Sequence, residues 1–336
     1  MKILFFNTNP DEEAYWKANL KEKDAKFFPE NIAASELSQD DYQAEILCIR
    51  NRMGDLIDKE TLEKFKNLKL IVTRTTGFDH IELEECRKKG IMVSNIPSYG
   101  ENTVAEHTFA LMLSLSRNVH KSYLRSQRDD FSIDGLCGFD LREKTLGVVG
   151  VGQIGKHVVK IAKGFGMNVI AFDNNQDHIL SEVLNFKYVP NLDELFEKSD
   201  IVSLHLPYSE STNHLINKES FSKMKPGAIL INTARGGLVD TDALYEALKN
   251  GKLSGAGLDV IEGEEMITEE KELLFSSKNV EKLRGLFKSK AIFKMDNVVF
   301  TPHNAFNSKE AIERILNTTV QNIESFIEGK PINLVK

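Results

Sequence analysis

The sequence predicts an α/β fold with two domains, each built on a parallel β-sheet. Short apolar runs of strand length alternate with helical patterns from the first residues to about residue 303. Such runs are typical of parallel strands that helices cover on both faces. With 336 residues, the chain is longer than one ordinary domain, so two domains are expected.

The first domain begins with alternating strands and helices over residues 1 to about 98. Strands are predicted at 2–6, 45–49, 68–73 and 91–95, a helix at 59–67, and a second helix that ends at Gly90. The turn that follows the third strand contains Gly77. This glycine could free the backbone N–H groups of the turn to meet an anion such as a carboxylate. An ordinary turn between a strand and a helix explains the same residues equally well.

A proline–glycine break at residues 97–100 indicates the crossing between domains. The next helix is predicted to begin at a capping box formed by Thr103 and Glu106. Its apolar residues cover more of the helix surface than the single apolar stripe of an amphipathic helix, which predicts burial of the kind found at a subunit interface. His107 on this helix is interpreted as a structural histidine, the commoner role for a lone histidine in such a place.

The second domain is organised around a glycine-rich turn near the middle of the chain. Gly150, Gly152 and Gly155 have G-x-G-x-x-G spacing and stand between an apolar strand and a helical pattern. The first glycine permits the tight turn, the second lets the backbone approach a pyrophosphate, and the third lets helix and strand pack closely. The helix that opens with Gln153 and Ile154 would offer N–H groups to the phosphates.

An acidic residue indicates which dinucleotide binds. A second apolar strand ends in Asp173, 18 residues beyond Gly155, where a carboxylate can hold the ribose hydroxyls of NAD and repel the 2′-phosphate of NADP. The turn is therefore interpreted as an NAD site. The alternative is a glycine turn in a strand–helix–strand unit that binds no nucleotide.

Polar residues also follow the later strands of this domain, at the points where the strands end. Strands predicted at 200–207, 228–233, 255–260 and 297–303 carry, at or just after their ends, His205, Arg235, Asp259 and His303. Ligands of open parallel sheets bind outside the carboxyl ends of the strands, so these residues are expected to converge on one crevice.

Two segments close the chain. Residues 262–296 are long, highly charged and only partly helical, and a solvated surface excursion is the plain interpretation. From Ser308 to Glu328 the sequence predicts an amphipathic helix, which is expected to pack on the first domain near the start of the chain.

Composition argues against several classes of protein. The formal net charge is −7 and no strongly basic segment occurs, so neither nucleic acid nor an anionic membrane is expected as a partner. The three cysteines lack C-x-x-C spacing, which predicts no structural metal site and no disulfide framework. No apolar run reaches the length of a membrane span or resembles a signal peptide, so a cytoplasmic protein is expected.

Three residues of the second domain could carry out chemistry on a 2-hydroxy acid beside NAD. Such chemistry needs an arginine for the carboxylate and carbonyl groups, and an acid–base residue that titrates near neutral pH. Arg235 and His303 follow strands, and Glu264 is the acid best placed to orient the histidine and raise its pKa. Taken singly, Arg235 could be structural and Glu264 a solvated surface charge. Their shared position with His303 at strand ends around the NAD crevice favours a catalytic role.

Together these residues resemble the D-isomer-specific 2-hydroxyacid dehydrogenases. The resemblance covers essentially the whole chain and rests on the glycine turn with Asp173, on Asn-Thr-Ala-Arg-Gly-Gly at 232–237, on Gly-Leu-Asp-Val at 257–260 and on Thr-Pro-His at 301–303. It implies two Rossmann-like or flavodoxin-like domains separated by an active-site cleft. Residues 1–99 and 304–336 would form the substrate domain, and residues 100–303 the NAD-binding Rossmann domain inserted in it.

The resemblance also implies roles for individual residues. Arg235 would bind and polarise the substrate, His303 would donate or accept the proton, and Glu264 would pair with His303. Other positions are implied for the substrate (Thr76, Gly77 and Tyr99), for the nicotinamide side of the cofactor (Thr233, Ala234 and Asp259) and for its adenosine side (Leu206, Pro207 and Thr212).

Within the family, Tyr99 and residues 304–306 look most like the D-lactate dehydrogenase branch. One feature departs from the family pattern: a proline commonly follows the catalytic glutamate, whereas Glu265 stands here. Glu262 and Glu265 are therefore rival candidates for the acid, and Glu264 is preferred for its distance from Asp259.

The sequence thus predicts an NAD-dependent oxidoreductase that reduces a small 2-keto acid, with pyruvate to D-lactate as the best choice. By resemblance, a homodimer formed through the NAD-binding domain is expected. Two alternatives stay open. One is a dehydrogenase of a larger or phosphorylated 2-hydroxy acid, and the other is a non-catalytic NAD-sensing protein on the same fold.

Overall fold

Two compact α/β units make up the computed structural model, one of residues 1–99 and 308–336 and the other of residues 100–307. The structure describes residues 1–20, 23–50, 56–264 and 280–335. The units divide at residue 307, slightly beyond the boundary at 303 that the sequence predicts.

The first unit is built on a five-stranded parallel sheet with the order β2-β1-β3-β4-β5. Its strands are β1 (Lys2–Phe5), β2 (Asp24–Phe27), β3 (Ile46–Ile49), β4 (Leu70–Thr73) and β5 (Met92–Ser94). Its helices are α1 (Pro10–Asn19), α2 (Lys59–Lys64), α3 (Leu83–Lys88) and, from the C-terminal segment, α12 (Lys309–Ile327). The sequence pattern missed the edge strand β2, because its residues alternate between exposed and half-buried positions and form no apolar run.

The C-terminal helix packs on the first unit, as its amphipathic pattern predicts. Ser308 caps α12 by accepting a hydrogen bond from the Ala311 N–H. The apolar face of the helix, which includes Ile323, lies in one core cluster with Phe5 of β1 and Trp16 of α1.

A buried ion cluster lies where β1, β3 and β4 end. Arg74 follows β4 and is 1% exposed, and its guanidinium donates hydrogen bonds to Glu12 Oε2 (3.1 Å) and to the Asn7 carbonyl oxygen (3.1 Å). It also lies 4.8 Å from the centre of the Trp16 ring. The other oxygen of Glu12 accepts from Arg50 at 2.7 Å. One carboxylate therefore compensates two buried cations.

The second unit contains a seven-stranded parallel sheet with the order β12-β11-β10-β9-β6-β7-β8. Its strands are β6 (Thr145–Val149), β7 (Asn168–Phe172), β8 (Lys187–Tyr188), β9 (Ile201–Leu204), β10 (Ala228–Asn232), β11 (Leu253–Leu258) and β12 (Val298–Phe300). Its helices are α4 (Glu101–Ser116), α5 (Val119–Ser126), α6 (Gln153–Gly164), α7 (His178–Val183), α8 (Leu192–Lys198), α9 (Lys218–Lys223), α10 (Thr241–Lys249) and α11 (Val280–Phe293). The prediction of two parallel-sheet α/β domains is confirmed.

The predicted start of helix α4 is wrong. The helix begins at Glu101 with Gly100 as its N-cap, and the Val104 N–H already donates to the Gly100 carbonyl oxygen at 2.8 Å. Thr103 is therefore inside the first turn, where its backbone is helical, and it cannot serve as the cap. Helices α8 and α10 are capped by side chains: Asn191 and Asp240 each accept a hydrogen bond from the first turn of the helix that follows.

Part of the charged segment predicted at 262–296 lies outside the described residues, namely 265–279. No helix in the described ranges combines the length and apolar character that a membrane crossing requires. Within the same ranges, His, Cys, Asp and Glu side chains form no group of three or more suited to a metal ion.

We expect Glu12→Ala to lower the free energy of unfolding of the first unit by about 3–5 kcal/mol, because it removes the carboxylate that pairs with the buried guanidinium of Arg74 and with Arg50. Trp16 is the only tryptophan in the sequence, so its fluorescence during urea denaturation reports on this unit. Glu13→Ala on the same helix is the control. It removes only a surface pair with Lys17 and should cost less than about 1 kcal/mol. Equal losses in the two variants would contradict the prediction.

Candidate active site

The carboxyl ends of the parallel strands of the second unit all lie at one edge of its sheet. The residues that follow them are Gly150 after β6, Asp173 after β7, His205 after β9, Arg235 after β10, Asp259 after β11 and His303 after β12. Strands β6 and β9 are neighbours, although the chain continues from them in opposite directions across the sheet. Such a switch point is where open parallel sheets bind ligands.

The glycine turn leaves room for a phosphate. Gly150 has φ +92°, and a Cβ atom on it would approach the His205 carbonyl oxygen to 2.7 Å. A Cβ on Gly155 would come within 2.2 Å of the Gly150 carbonyl oxygen, whereas a Cβ on Gly152 would meet nothing within 4 Å. Gly152 is the N-cap of α6 and brings no side chain to the first N–H groups of that helix. The turn therefore fits a pyrophosphate at the start of α6.

Asp173 is held beside the glycine turn by two backbone hydrogen bonds. Its Oδ2 accepts from the Val151 N–H at 2.7 Å, and its Oδ1 accepts from the Asn175 N–H at 2.8 Å. Each oxygen of an ionised carboxylate can accept more than one hydrogen bond. The acid is thus oriented and retains the capacity to accept from ribose hydroxyls.

His303 and Glu264 form a hydrogen-bonded pair. Nδ1 of His303 lies 2.8 Å from Oε1 of Glu264. Burial lowers the pKa of His303, but the hydrogen bond and charge of Glu264, with the charge of Asp259, outweigh burial and the charge of Arg235. The pKa is therefore raised above the ordinary histidine value, and the ring can act as a proton donor near neutral pH.

Asp259 fixes the loop that carries His303. This carboxylate is 1% exposed and accepts hydrogen bonds from the Asn304 N–H (2.8 Å), the Ala305 N–H (2.9 Å) and the Thr301 hydroxyl. The His303 N–H donates to the Asp259 carbonyl oxygen at 2.8 Å. His303 has φ +49°, a conformation that residues other than glycine seldom adopt, and these contacts hold it there.

The rival acids differ in their contacts. Glu262 Oε1 lies 2.6 Å from His214 Nε2, so the Glu262 carboxylate is engaged with a different histidine. Glu265 lies outside the described residues. Of the two acids that the structure describes, Glu264 contacts His303.

Arg235 stands in a turn that Asn232 shapes. The Asn232 side chain donates to the Arg235 carbonyl oxygen at 2.9 Å and accepts from the Ala234 N–H at 3.0 Å. The guanidinium donates from Nη1 to the Ala234 carbonyl oxygen at 2.8 Å. A Cβ on Gly236 would come within 2.2 Å of the Ile261 carbonyl oxygen, so the glycine lets this turn approach the one that carries Glu264.

The residues predicted for the two sides of the cofactor occupy these loops. Thr233 Oγ1 lies 2.9 Å from Thr108 Oγ1 of helix α4. The Thr212 hydroxyl donates to the Pro207 carbonyl oxygen at 3.0 Å, which closes the loop after β9. Leu206 Cδ2 lies 2.8 Å from the position that a Cβ on Gly150 would take.

The residues predicted for the substrate carboxylate lie in the first unit. Thr76 Oγ1 donates to the Ile96 carbonyl oxygen at 3.0 Å, and Thr75 Oγ1 donates to the Gly77 carbonyl oxygen at 2.6 Å. Among the described residues, the N–H groups of Thr76 and Gly77 meet no acceptor. Such oriented N–H groups suit an anion. Tyr99 is the last residue of this unit before the chain enters the second.

Two further histidines lie at the same edge of the second sheet: His205, which the sequence places at a strand end, and His107, which it predicts to be structural. His205 Nε2 lies 2.8 Å from Ser203 Oγ, and burial lowers the pKa of His205 to about 3, so its ring is neutral. His107 Nε2 lies 2.9 Å from Thr301 Oγ1 and 3.4 Å from Asp259 Oδ1. No local pattern reveals the His107 contact, because Thr301 lies 194 residues further along the chain.

Comparisons with known proteins show which family the chain is similar to. The family model for the NAD binding domain of D-isomer specific 2-hydroxyacid dehydrogenase matches residues 109–305. The D-lactate dehydrogenase of Escherichia coli (strain K12) is 37% identical over 289 residues, 85% of this chain and 84% of that protein. The crystal structure of D-lactate dehydrogenase from Aquifex aeolicus, complexed with NAD and lactic acid, has a TM-score of 0.88 at 38% identity and covers 98% of this chain and 96% of that one.

The chain belongs to the D-isomer-specific 2-hydroxyacid dehydrogenases. It carries the NAD-binding domain of this family and falls in the D-lactate dehydrogenase branch. The predictions of family, cofactor and enzyme class are confirmed: the dehydrogenase is an NAD-dependent oxidoreductase that acts on the CH–OH group of D-2-hydroxy acids. Relatives differ in substrate, since the aromatic 2-oxoacid reductase of Clostridium sporogenes (strain ATCC 15579) is 35% identical over 334 residues, 97% of this chain and 96% of that protein.

We expect Gly155→Ala to weaken NADH binding by at least about tenfold, because its new methyl group would displace the Gly150 carbonyl and with it the glycine turn. Fluorescence titration of the dehydrogenase with NADH measures the loss. Gly164→Ala on the same helix is the matched control. Its methyl group meets nothing within 4 Å, so affinity should hold and stability should rise by about 0.5–1 kcal/mol. Unchanged NADH affinity in a folded Gly155→Ala variant would contradict the role given to this turn.

Proposed function

We propose that the dehydrogenase reduces a small 2-keto acid, best pyruvate to D-lactate, and that His303, Glu264 and Arg235 carry out the chemistry. The observation that supports this most directly is the 2.8 Å hydrogen bond between His303 Nδ1 and Glu264 Oε1. Reduction of a ketone needs a proton donor, and a histidine with a raised pKa provides one near neutral pH. The relatives named D-lactate dehydrogenase support pyruvate as the substrate.

Each residue of this triad has a separate task in the proposed reaction. NADH, when bound, supplies the hydride that reduces the carbonyl carbon. The His303 imidazolium donates its Nε2 proton to the carbonyl oxygen, and the Arg235 guanidinium stabilises the negative charge that develops on this oxygen. Glu264 accepts from Nδ1, so it orients the ring and stabilises its charged form. In the reverse direction the neutral His303 accepts the hydroxyl proton.

The remaining site assignments are part of the same proposal. Residues 1–99 and 304–336 would serve as the substrate domain and residues 100–303 as the NAD-binding domain. The cofactor would be held by Gly150, Gly152, Gln153, Ile154, Gly155, Asp173, Leu206, Pro207, Thr212, Thr233, Ala234 and Asp259, and the substrate by Thr76, Gly77, Tyr99 and Arg235.

We expect His303→Gln to lower kcat for pyruvate reduction by about 10²–10⁴-fold. The glutamine amide does not titrate near neutral pH, so it cannot replace the protonated imidazole as proton donor. In the wild type, kcat/KM should fall as pH rises through the raised pKa of His303, since only the protonated ring is competent. Steady-state assays with NADH measure both. His157→Gln, an exposed histidine on α6, is the control and should retain the wild-type rate.

Two results would contradict parts of this proposal. A His303→Gln variant that is as active as the wild type would overturn the role of the pair. A wild type that reduces phenylpyruvate in strong preference to pyruvate would favour the larger 2-keto acids on which the Clostridium sporogenes relative is named to act.

We also propose a homodimer formed through the second unit, in the cytoplasm. Helix α5 has no buried residue, and several large apolar side chains on it and just after it are exposed: Val119, Tyr123, Leu124, Phe131 and Ile133. Large apolar side chains exposed along one short stretch of chain are typical of protein interfaces, and a second copy of the chain is the partner that the family resemblance implies. Three free cysteines support a reducing compartment.

The double substitution Phe131→Ser with Ile133→Ser should shift the protein from dimer to monomer at micromolar concentration. The two side chains are 78% and 81% exposed in the single chain, and serine would remove the apolar contacts that they make with the second copy in the proposed dimer. Size-exclusion chromatography with light scattering measures the mass. Ile179→Ser, at a residue of the same unit that is 78% exposed, should leave the dimer intact. A wild-type protein with the mass of a monomer would contradict the proposed dimer.

A further inference from the structure

The turn that carries Glu264 bears a second histidine–carboxylate contact. Residues 261–264 form a turn in which the Glu264 N–H donates to the Ile261 carbonyl oxygen at 3.2 Å. Two residues apart on this turn, Glu262 contacts His214 at 2.6 Å and Glu264 contacts His303 at 2.8 Å. The proposed reaction uses only the second of these contacts.

Glu264 depends on its turn for its orientation. Its Oε1 is engaged with His303, whereas its Oε2 is buried and has no hydrogen-bond partner among the described residues. A carboxylate held through a single hydrogen bond loses that contact when the backbone that carries it shifts. The position of the 261–264 backbone therefore decides whether Oε1 stays on Nδ1 of His303.

Glu262 ties this backbone to two other elements. Its Oε1 accepts from His214 Nε2 at 2.6 Å, and its Oε2 lies 3.4 Å from the Thr241 N–H at the start of α10. A carboxylate at the start of a helix is stabilised by the N–H groups that the first turn leaves without partners. On the other side of the turn, Gly236 lets the Arg235 segment lie against the Ile261 carbonyl.

His214 is itself fixed in the chain. It has φ +49°, its N–H donates to the Gly237 carbonyl oxygen at 2.9 Å, and its own carbonyl oxygen accepts from the Asn217 side chain at 3.1 Å. Because an ionised carboxylate only accepts hydrogen bonds, Nε2 of His214 carries the N–H group that donates to Glu262. The ring thus connects the loop after β9 to the turn that carries Glu264.

We propose that His214 and Glu262 are a positioning pair, which fixes the 261–264 turn so that the Glu264 carboxylate stays on His303. The charged groups that act on His303 are Glu264, Asp259 and Arg235. Asp259 and Arg235 are held by contacts of their own, so loss of the positioning pair affects the contribution of Glu264. This inference deepens the proposed function, because it concerns the acid of the same triad.

Substitution at His214 tests the pair without removing the charge of Glu262. His214→Asn is the disruptive variant: asparagine tolerates the left-handed conformation at this position, but its side chain is too short to reach Glu262. His214→Gln is the matched control, since its longer amide can present an N–H group where Nε2 of histidine stood. The two variants differ by one methylene group.

The decisive readout is the pKa of His303, measured by NMR titration of the histidine ring protons in the full-length protein without substrate. The His303 signal is identified by its absence in His303→Gln. We expect His214→Asn to lower this pKa by at least about half a unit, a roughly threefold change in proton affinity, and His214→Gln to restore most of it. An unchanged pKa in a folded His214→Asn variant would overturn the proposal, as would equal shifts in both variants.

Activity adds a second readout that separates this inference from the proposed function. In His214→Asn, the pH at which kcat/KM for pyruvate reduction falls should move to lower values, while the dissociation constant of NADH stays within about twofold of wild type. If the wild type reduces no 2-keto acid, the proposed function fails, and the NMR titration still decides the role of His214.

Discussion

The candidate active site depends on the burial of one carboxylate, that of Asp259. Three donors of the loop after β12 converge on it, and the His303 N–H donates to its backbone oxygen. Burial alone would raise the pKa of Asp259, but hydrogen bonds from His107, Thr301 and the loop backbone outweigh burial and hold it below the ordinary value. The acid therefore stays ionised and keeps His303 in an uncommon backbone conformation, at a cost that these hydrogen bonds offset.

The sheet and the turns contribute differently to this site. Because all strands of the second unit are parallel, their carboxyl ends bring the glycine turn, Asp173, Arg235 and His303 to one edge of the sheet. Glu264 is different, since it lies on a turn beyond β11 rather than at the end of a strand. Its orientation depends on neighbouring turns, and Gly236 is the residue that lets one of them come close.

In the first unit, too, a turn that follows a parallel strand is held in place by hydrogen bonds. The turn after β4 follows the buried Arg74, and a chain of hydrogen bonds runs from His80 Nε2 to Thr73 Oγ1 (3.1 Å), from there to Thr75 Oγ1 (2.6 Å), and on to the Gly77 carbonyl oxygen (2.6 Å). These contacts hold the turn through its side chains and carbonyl groups. Among the described residues, none of these contacts uses the N–H groups of Thr76 and Gly77, which suits the carboxylate-binding role proposed for this turn.

The parallel α/β architecture, NAD as the cofactor and the family are all predicted correctly from sequence patterns alone. Each of these depends on a short-range signal: apolar strand runs, glycine spacing, or a polar residue just after a strand. Spacing from Asp259 favours Glu264, but the contact with His303 is established only by the tertiary structure, in which packing brings His303 to Glu264 and His214 to Glu262. The same holds for the pairing of Arg74 with Glu12 and for the contact of His107 with Thr301. Those partners lie 62 and 194 residues apart, and only the folded chain brings them together.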